Sequence, residues 1–185
     1  GLLALVPASP ALADGSSWTE INYGSTGQKL QSVANGDGVW VGVTYDGKTI
    51  RSTNGGLNWT DVSVPESNQW YGVAYGDGVF VAISNNGTNQ VMRSTNGGLN
   101  WTTVSVPESN GWASVAYGDG VWIATAYRGT NQVMRSTDAG VTWTAVATPN
   151  GANGTNDGWW GIEYGNGVWV TPSKNGSQIL RSTDN

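Results

Sequence analysis

The chain has 185 residues, a net charge of −5, and neither cysteine nor histidine. Disulfide and thiolate chemistry are therefore excluded, and the commonest general base and metal ligand is missing. With 8 basic residues against 13 acidic and no basic run, nucleic acid is not an expected partner, and no metal or cofactor is expected either. The charged fraction is only 11%, but 11 tryptophans argue for ordered, aromatic-rich packing rather than disorder.

Residues 1–13 form an apolar run closed by Ala11-Leu12-Ala13. That pattern matches the end of a secretory signal with its small-residue cleavage site; the alternative is an apolar tail. The run is too short to cross a bilayer, so no transmembrane span is expected there. The protein is expected to be secreted or exported, with one folded domain over 14–185.

The next segment, Trp18-Thr-Glu-Ile-Asn-Tyr23, matches one part of a unit that repeats along the chain. Arg51-Ser-Thr-Asn-Gly-Gly-Leu-Asn-Trp59-Thr60 recurs unchanged at 93–102 and, with substitutions, at 135–144; the tryptophans stand 42 residues apart at 59, 101 and 143. A second marker keeps step with it at Tyr75-Gly-Asp-Gly-Val, Tyr117-Gly-Asp-Gly-Val and Tyr164-Gly-Asn-Gly-Val, with an early copy at Asn35. Each unit reads as four short strands. In the second, Trp70 to Tyr75 leads through an Asp77-Gly78 hairpin turn to Val79 to Ile83, which alternates apolar faces. A polar loop precedes strand three, Gln90 to Ser94, and strand four runs from Trp101 until Pro107 stops it. The last stretch, from Trp159, supplies strands one to three, while residues 18–23 match strand four alone. Joined, Ser182-Thr-Asp184-Asn185 and Gly15-Ser-Ser-Trp18 spell one more copy of the turn.

Four short antiparallel strands per unit of this length is the signature of a β-propeller blade. The expected fold is all-β: four blades, with the N-terminal strand closing the last, or equally a piece of a larger ring. The recurring turn is Ser52, Asn54, Gly56, Trp59; then Ser94, Asn96, Gly98, Trp101; then Ser136, Asp138, Gly140, Trp143; with Ser182 and Asp184 opening a fourth. The motif Ser-x-Asp-x-Gly-x-x-Trp resembles the Asp-box of the bacterial neuraminidase repeats found in sialidase-like propellers. The resemblance implies a structural turn joining strands three and four, away from the ligand face. It does not imply sialidase activity. Such an enzyme needs an arginine cluster, and Arg51, Arg93, Arg135 and Arg181 all hold one repeated position that reads as structural.

Function is expected where the repeats differ, on the face carrying the loops into strand one and between strands two and three. Trp70, Trp112 and Trp159 open strand one there, beside Tyr45, Tyr127, Arg128 and Lys174; aromatics among hydroxyls and amides suit sugar rings. Packing between blades is the competing reading of the three tryptophans. Glu163, where other blades carry alanine, is the one acid candidate, expected among packed inner strands. Three functions are consistent with these features: a non-catalytic extracytoplasmic propeller binding glycan or protein, a fragment of a sialidase-like or other Asp-box glycoside hydrolase, or a structural and assembly protein.

Overall fold

A computed structural model describes residues 15–23, 29–149 and 158–184. The secretory-signal reading of residues 1–13 and most of the 148–158 insert lie outside the described residues. Among those described, every regular element is a strand. Blade 1 comprises β1 (Leu30–Gly36), β2 (Val39–Thr44), β3 (Thr49–Ser52) and β4 (Thr60–Val62). Blade 2 comprises β5 (Trp70–Gly76), β6 (Val79–Ser84), β7 (Val91–Ser94) and β8 (Thr102–Val104). Blade 3 comprises β9 (Trp112–Gly118), β10 (Val121–Ala126), β11 (Val133–Ser136) and β12 (Thr144–Val146). Blade 4 holds β13 (Glu163–Gly165), β14 (Val168–Pro172) and β15 (Ile179–Ser182). Each sheet is an antiparallel meander in chain order.

The sequence dictates the first hairpin of every blade. Asp37-Gly38, Asp77-Gly78, Asp119-Gly120 and Asn166-Gly167 all have positive φ at both positions, the type I′ geometry whose twist matches that of the flanking strands. Near the other end of each first strand the pairing slips by one residue: Trp70 faces Ser84, but Gly72 faces Ile83. The same bulge recurs around Gln31 and Ala113.

The blades stack by one repeated joint. Val41 and Val43 of blade 1 share a buried cluster with Trp70, Phe80, Ala82, Met92 and Trp101 of blade 2. Val81, Ile83 and Val91 of blade 2 meet Trp112, Trp122, Ala124, Met134 and Trp143 of blade 3. Val121 of blade 3 meets Ile162 and Trp169 of blade 4. Tyrosine knobs fit glycine sockets at the same joints. A Cβ on Gly36, Gly76 or Gly118 would stand about 2 Å from the ring of Tyr75, Tyr117 or Tyr164 respectively. Two of the repeated arginines are part of the joint as well: Arg51 Nε donates to Gly97 O (2.6 Å) and Arg93 Nε to Ala139 O (3.0 Å).

One expectation fails. Residues 17–23 form no strand, Trp18 is 90% exposed, and the last sheet has three strands among the described residues. The N-terminal segment does not close blade 4. The reason is geometric: Leu30 N donates to Tyr23 Oη (3.1 Å), which ties the segment to the start of β1, and no blade 1 strand stacks on a blade 4 strand. The four blades form an arc. Its two end faces expose apolar side chains, Val33 on blade 1 and Val170 and Ile179 on blade 4.

Candidate ligand-binding cup

The bulge at the start of each first strand turns one side chain out of the ladder, a device that often re-aims residues beside functional sites. In blade 2 that residue is Tyr71. In blade 4 the same one-residue shift separates the bridge Trp159↔Ser173 from Glu163↔Val170 and assigns the position to Trp160. A second position, just past the end of strand two, supplies Tyr45, Asn85, Tyr127 and Lys174, one from each blade. These side chains converge. Ring centroids lie 5.9 Å apart for Tyr45–Tyr71, 6.5 Å for Tyr71–Tyr127, 6.3 Å for Tyr71–Trp160 and 5.6 Å for Tyr127–Trp160. Edge-on and tilted contacts of this kind favour the aromatic quadrupoles.

Cations rim the rings. Lys174 Nζ lies 4.3 Å from the Tyr127 centroid and 5.2 Å from that of Trp160. The Arg128 guanidinium is 5.4 Å above Tyr127, and Lys29 Nζ is 5.9 Å from Tyr45. Polar bonds hold the frame: Asn85 Nδ2 donates to Tyr127 Oη (3.2 Å) and Arg128 Nη2 to Asn85 O (3.3 Å). Blade 4 is drawn against blade 3 where Trp159 N donates to Ala126 O (2.9 Å) and Gly158 passes too close to the Tyr127 backbone for any side chain. Burial, then the neighbouring phenols of Tyr127 and Tyr45, push the Tyr71 hydroxyl above the ordinary tyrosine range, so it stays a neutral donor and acceptor. Trp160 is 45% exposed, and Tyr45, Tyr71 and Tyr127 are half-buried.

The structure therefore brings together Tyr45, Tyr127, Arg128 and Lys174, as the loop argument expects. It removes Trp70, Trp112 and Trp159 from that group. All three are buried at 0–1% exposure, Trp70 and Trp112 within the interblade joints, and no ligand can stack on them. The physical reason is the alternation of the strand: Trp70 faces the neighbouring blade, and the bulge sends the next residue, Tyr71, to the mouth. Sequence reasoning missed Tyr71, Trp160, Lys29 and Asn85. The available signal was the repeat alignment, in which Gln31, Tyr71, Ala113 and Trp160 share one column and differ in all four blades.

The acids take other roles. Glu163 is exposed, not packed among inner strands, because the blade 4 face it lies on has no covering blade. Glu66 accepts from Asn89 Nδ2 (2.5 Å), Asn89 N and Asn68 Nδ2, and Glu108 makes the equivalent bonds to Asn131 and Asn110. The Asn89 side chain chiefly lowers the Glu66 pKa, and the Asn131 backbone N–H that of Glu108; both carboxylates clamp loops. The turns between strands three and four repeat one hydrogen-bond set. Ser136 Oγ bonds Asp138 Oδ1 (2.8 Å), Gly140 N donates to Ser136 Oγ (3.1 Å), and Trp143 Nε1 donates to Gly140 O (3.2 Å). Asp138 sits at about pKa 2, held there first by the Thr142 hydroxyl, then by the Thr142 N–H. Among the described residues no three His, Cys, Asp or Glu side chains gather as a metal site, and no helix is long and apolar enough to cross a membrane.

No protein-family model and no curated protein matches the chain. Solved structures do match. A catalytically inactive virginiamycin B lyase from Staphylococcus aureus with quinupristin superposes with a TM-score of 0.76 at 15% identity, covering 92% of this chain and 57% of its own. YCF48 bound to D1 peptide gives 0.65 at 13%, covering 84% of this chain and 51% of its own. The computationally designed Ika4 protein gives 0.64 at 12%, covering 90% of this chain and 98% of its own. This chain thus spans about half the length of the first two. At such low identity the shared property is the fold alone, and with the stacked antiparallel sheets it identifies the chain as a β-propeller.

Proposed function

We propose that this is a non-catalytic binding propeller of the Asp-box type, working outside the cytoplasm, whose cup takes a ligand that joins a ring face to an anionic group. An acidic glycan fits that description best. The observation that carries the reading is the convergence of Tyr45, Tyr71, Tyr127 and Trp160, one from each of four blades, at a mouth rimmed by Lys29, Arg128 and Lys174. A sugar ring stacks on the exposed Trp160, phenols and amides bond its hydroxyls, and the cations meet a carboxylate or sulfate. The Asp-box reading is supported by the repeated serine, acid-or-amide, glycine and tryptophan bonds of the turns. The extracytoplasmic reading is supported by the apolar run ending in Ala11-Leu12-Ala13.

A glycan array with neutral, sulfated and uronic or sialic acid members is the direct test. Binding restricted to acidic members, weakened about tenfold or more by Trp160→Ala, is the expected result. A peptide is the second reading, favoured because a structural neighbour is seen bound to one; an array without hits followed by capture of acidic peptides would select it. Turnover of a sialoside by the purified chain would overturn the non-catalytic reading, and Glu163→Gln is expected to leave ligand binding unchanged.

A further inference from the structure

Tyr127 and Arg128 open a loop that is fastened at its far end. The loop runs from β10 to β11 and carries Asn131 shortly before β11. Glu108, in the segment leading into β9, takes three hydrogen bonds. Asn131 N (2.9 Å) and Asn110 Nδ2 (3.5 Å) donate to Oε2, and Asn131 Nδ2 donates to Oε1. Asn110 Nδ2 also donates to Asn131 O (2.6 Å). Blade 2 holds the same arrangement: Glu66 accepts from Asn89 N (3.2 Å), and Asn68 Nδ2 donates to Asn89 O (2.7 Å). Each loop carries a glycine fitted to the clamp. Gly87 and Gly129 have φ of 95° and 119°, and a Cβ on either would stand about 2 Å from the side chain of Asn68 or Asn110.

The two fastened loops are also tied to each other. Gln90 follows Asn89 and is 1% exposed. Its Nε2 donates to Asn110 O (2.6 Å), and its Oε1 accepts from Asn110 N (3.1 Å). On the cup side, Asn85 opens the blade 2 loop; its side chain donates to Tyr127 Oη and its carbonyl accepts from Arg128 Nη2. Arg128 and Tyr127 lie over Gly111, where a Cβ would stand 2.6 Å from Arg128 Cγ and 3.1 Å from Tyr127 Cε1. Gly111 N donates to Arg128 O (3.1 Å), and Tyr127 N donates to Gly111 O (3.0 Å). A continuous chain of bonded neighbours therefore joins each carboxylate to the cup: Glu108 through Asn110 and Gly111, and Glu66 through Asn89 and the loop that begins at Asn85.

Building on the binding reading above, we propose that Glu66 and Glu108 are positioning residues of the cup: as carboxylates they hold Tyr127 and Arg128 in place for the ligand, and acid releases the loops and the ligand with them. An ionised carboxylate only accepts, so it satisfies every N–H of its clamp. Protonation turns one oxygen into a donor and leaves a part-buried N–H of Asn131 or Asn89 without its acceptor, which is costly. Both groups titrate below the ordinary glutamate range, Glu66 chiefly through the Asn89 side chain and Glu108 chiefly through the Asn131 backbone N–H. A depressed pKa of this kind keeps the clamps whole above that range and loses them as pH falls below it. The groups facing the carboxylates are asparagine amides, and no charged side chain bears on either. Charged groups on the adjoining elements are Lys48 and Asp61, which line a groove with Ser67, and Arg128 over Gly111. Lysine and arginine stay charged in acid, so the loss is one of geometry and not of attraction.

Glutamine brings an N–H where the clamp needs an acceptor, so Glu108→Gln at neutral pH imitates the protonated state. In nuclear magnetic resonance of the ligand-free protein, Glu108→Gln should speed hydrogen exchange at the Asn131 amide by about tenfold or more. It should also move the side-chain proton shifts of Arg128 and Lys174, which report on the Tyr127 ring 5.4 and 4.3 Å away. Wild-type protein taken below the ordinary glutamate range should show the same movement, a measurement that needs no variant to fold. Sulfated lactose is the binding probe, because its sulfate keeps its charge in acid. Wild-type affinity for it should fall about tenfold or more on acidification. The Glu66→Gln/Glu108→Gln double variant should bind weakly already at neutral pH with little further fall, and Glu163→Gln should follow wild type. Shifts that stay in place in Glu108→Gln and in acidified wild type, or a probe affinity that acid leaves unchanged, overturn the proposal. Wild-type protein that binds no acidic glycan at any pH overturns the binding reading instead, and the ligand-free shifts then decide by themselves whether the two glutamates position the cup.

Discussion

Trp101 and Trp112 lie in neighbouring joints with similar burial, and they differ in the company of one nitrogen. Trp101 Nε1 donates to Gly98 O (3.2 Å), whereas the buried indole nitrogens of Trp70, Trp112 and Trp159 meet no protein acceptor. Trp101→Ala should cost about 3–5 kcal/mol in urea unfolding, the range of large aromatic truncations in cores. Trp112→Phe should cost less than Trp101→Phe, because the first removes an unpaired donor and the second orphans a carbonyl; equal costs would contradict the assignment. Charge at the residue scale is concentrated in Asp138, whose pKa of about 2 lies below its ordinary value. A depressed folded-state pKa contributes stability that is complete above the ordinary aspartate range and is lost as pH falls toward about 2. Blades 1 and 2 carry Asn54 and Asn96 at that position and lack this acid dependence. Asp138→Asn should therefore flatten the fall in melting temperature between pH 4 and 2, with Glu66 and Glu108 leaving a residual slope.

At the scale of elements, the first strand of each blade ends in a socket for its neighbour. Gly76 and Gly165 stand at the same point of their strands, but only one socket is filled. A Cβ at Gly76 would lie 2.0 Å from the Tyr117 ring, and one at Gly165 would meet nothing within 4 Å. Gly76→Ala should lose at least the roughly 1–3 kcal/mol typical of overpacking, while Gly165→Ala should stay within about 0.5 kcal/mol of wild type by thermal denaturation. Strand and turn placement were legible in the sequence because each is local. Period-two alternation, Asp-Gly pairs and Pro107 act within a few residues, and β5 to β8 fall within a residue or two of their expected bounds. The bulge was not legible: it arises from the register of two strands joined across a hairpin, and no residue type announces it.

At the scale of the molecule, the cup joins four blades while contributing little to any one of them. Trp160→Ala and Tyr71→Ala should weaken acidic-glycan binding by about tenfold or more, measured calorimetrically, with melting temperatures close to wild type. Trp112→Ala should do the reverse for stability, melting far lower because the indole fills a joint. A Trp160→Ala protein that unfolds as readily as Trp101→Ala would place Trp160 in the core and remove the cup. Lys174→Ala should shift preference from acidic toward neutral glycans, since it takes one cation from the rim while keeping the rings.

By itself the sequence determined the repeat, the four-strand unit and the hairpin type. All of these are encoded by periodic residues whose effect is local or is copied at every joint. It also marked Tyr45, Tyr127, Arg128 and Lys174, because loops that vary on a constant scaffold stand out in an alignment of the repeats. Only the tertiary structure decided which of two adjacent side chains, Trp70 or Tyr71 and Trp159 or Trp160, faces the joint and which faces the mouth. A one-residue register shift makes that choice, and a shift belongs to a pair of strands rather than to either one. The tertiary structure likewise decided that Glu163 lies on an open face and that residues 17–23 do not complete blade 4. Closure depends on the summed curvature of four stacked sheets, and no single repeat carries that angle.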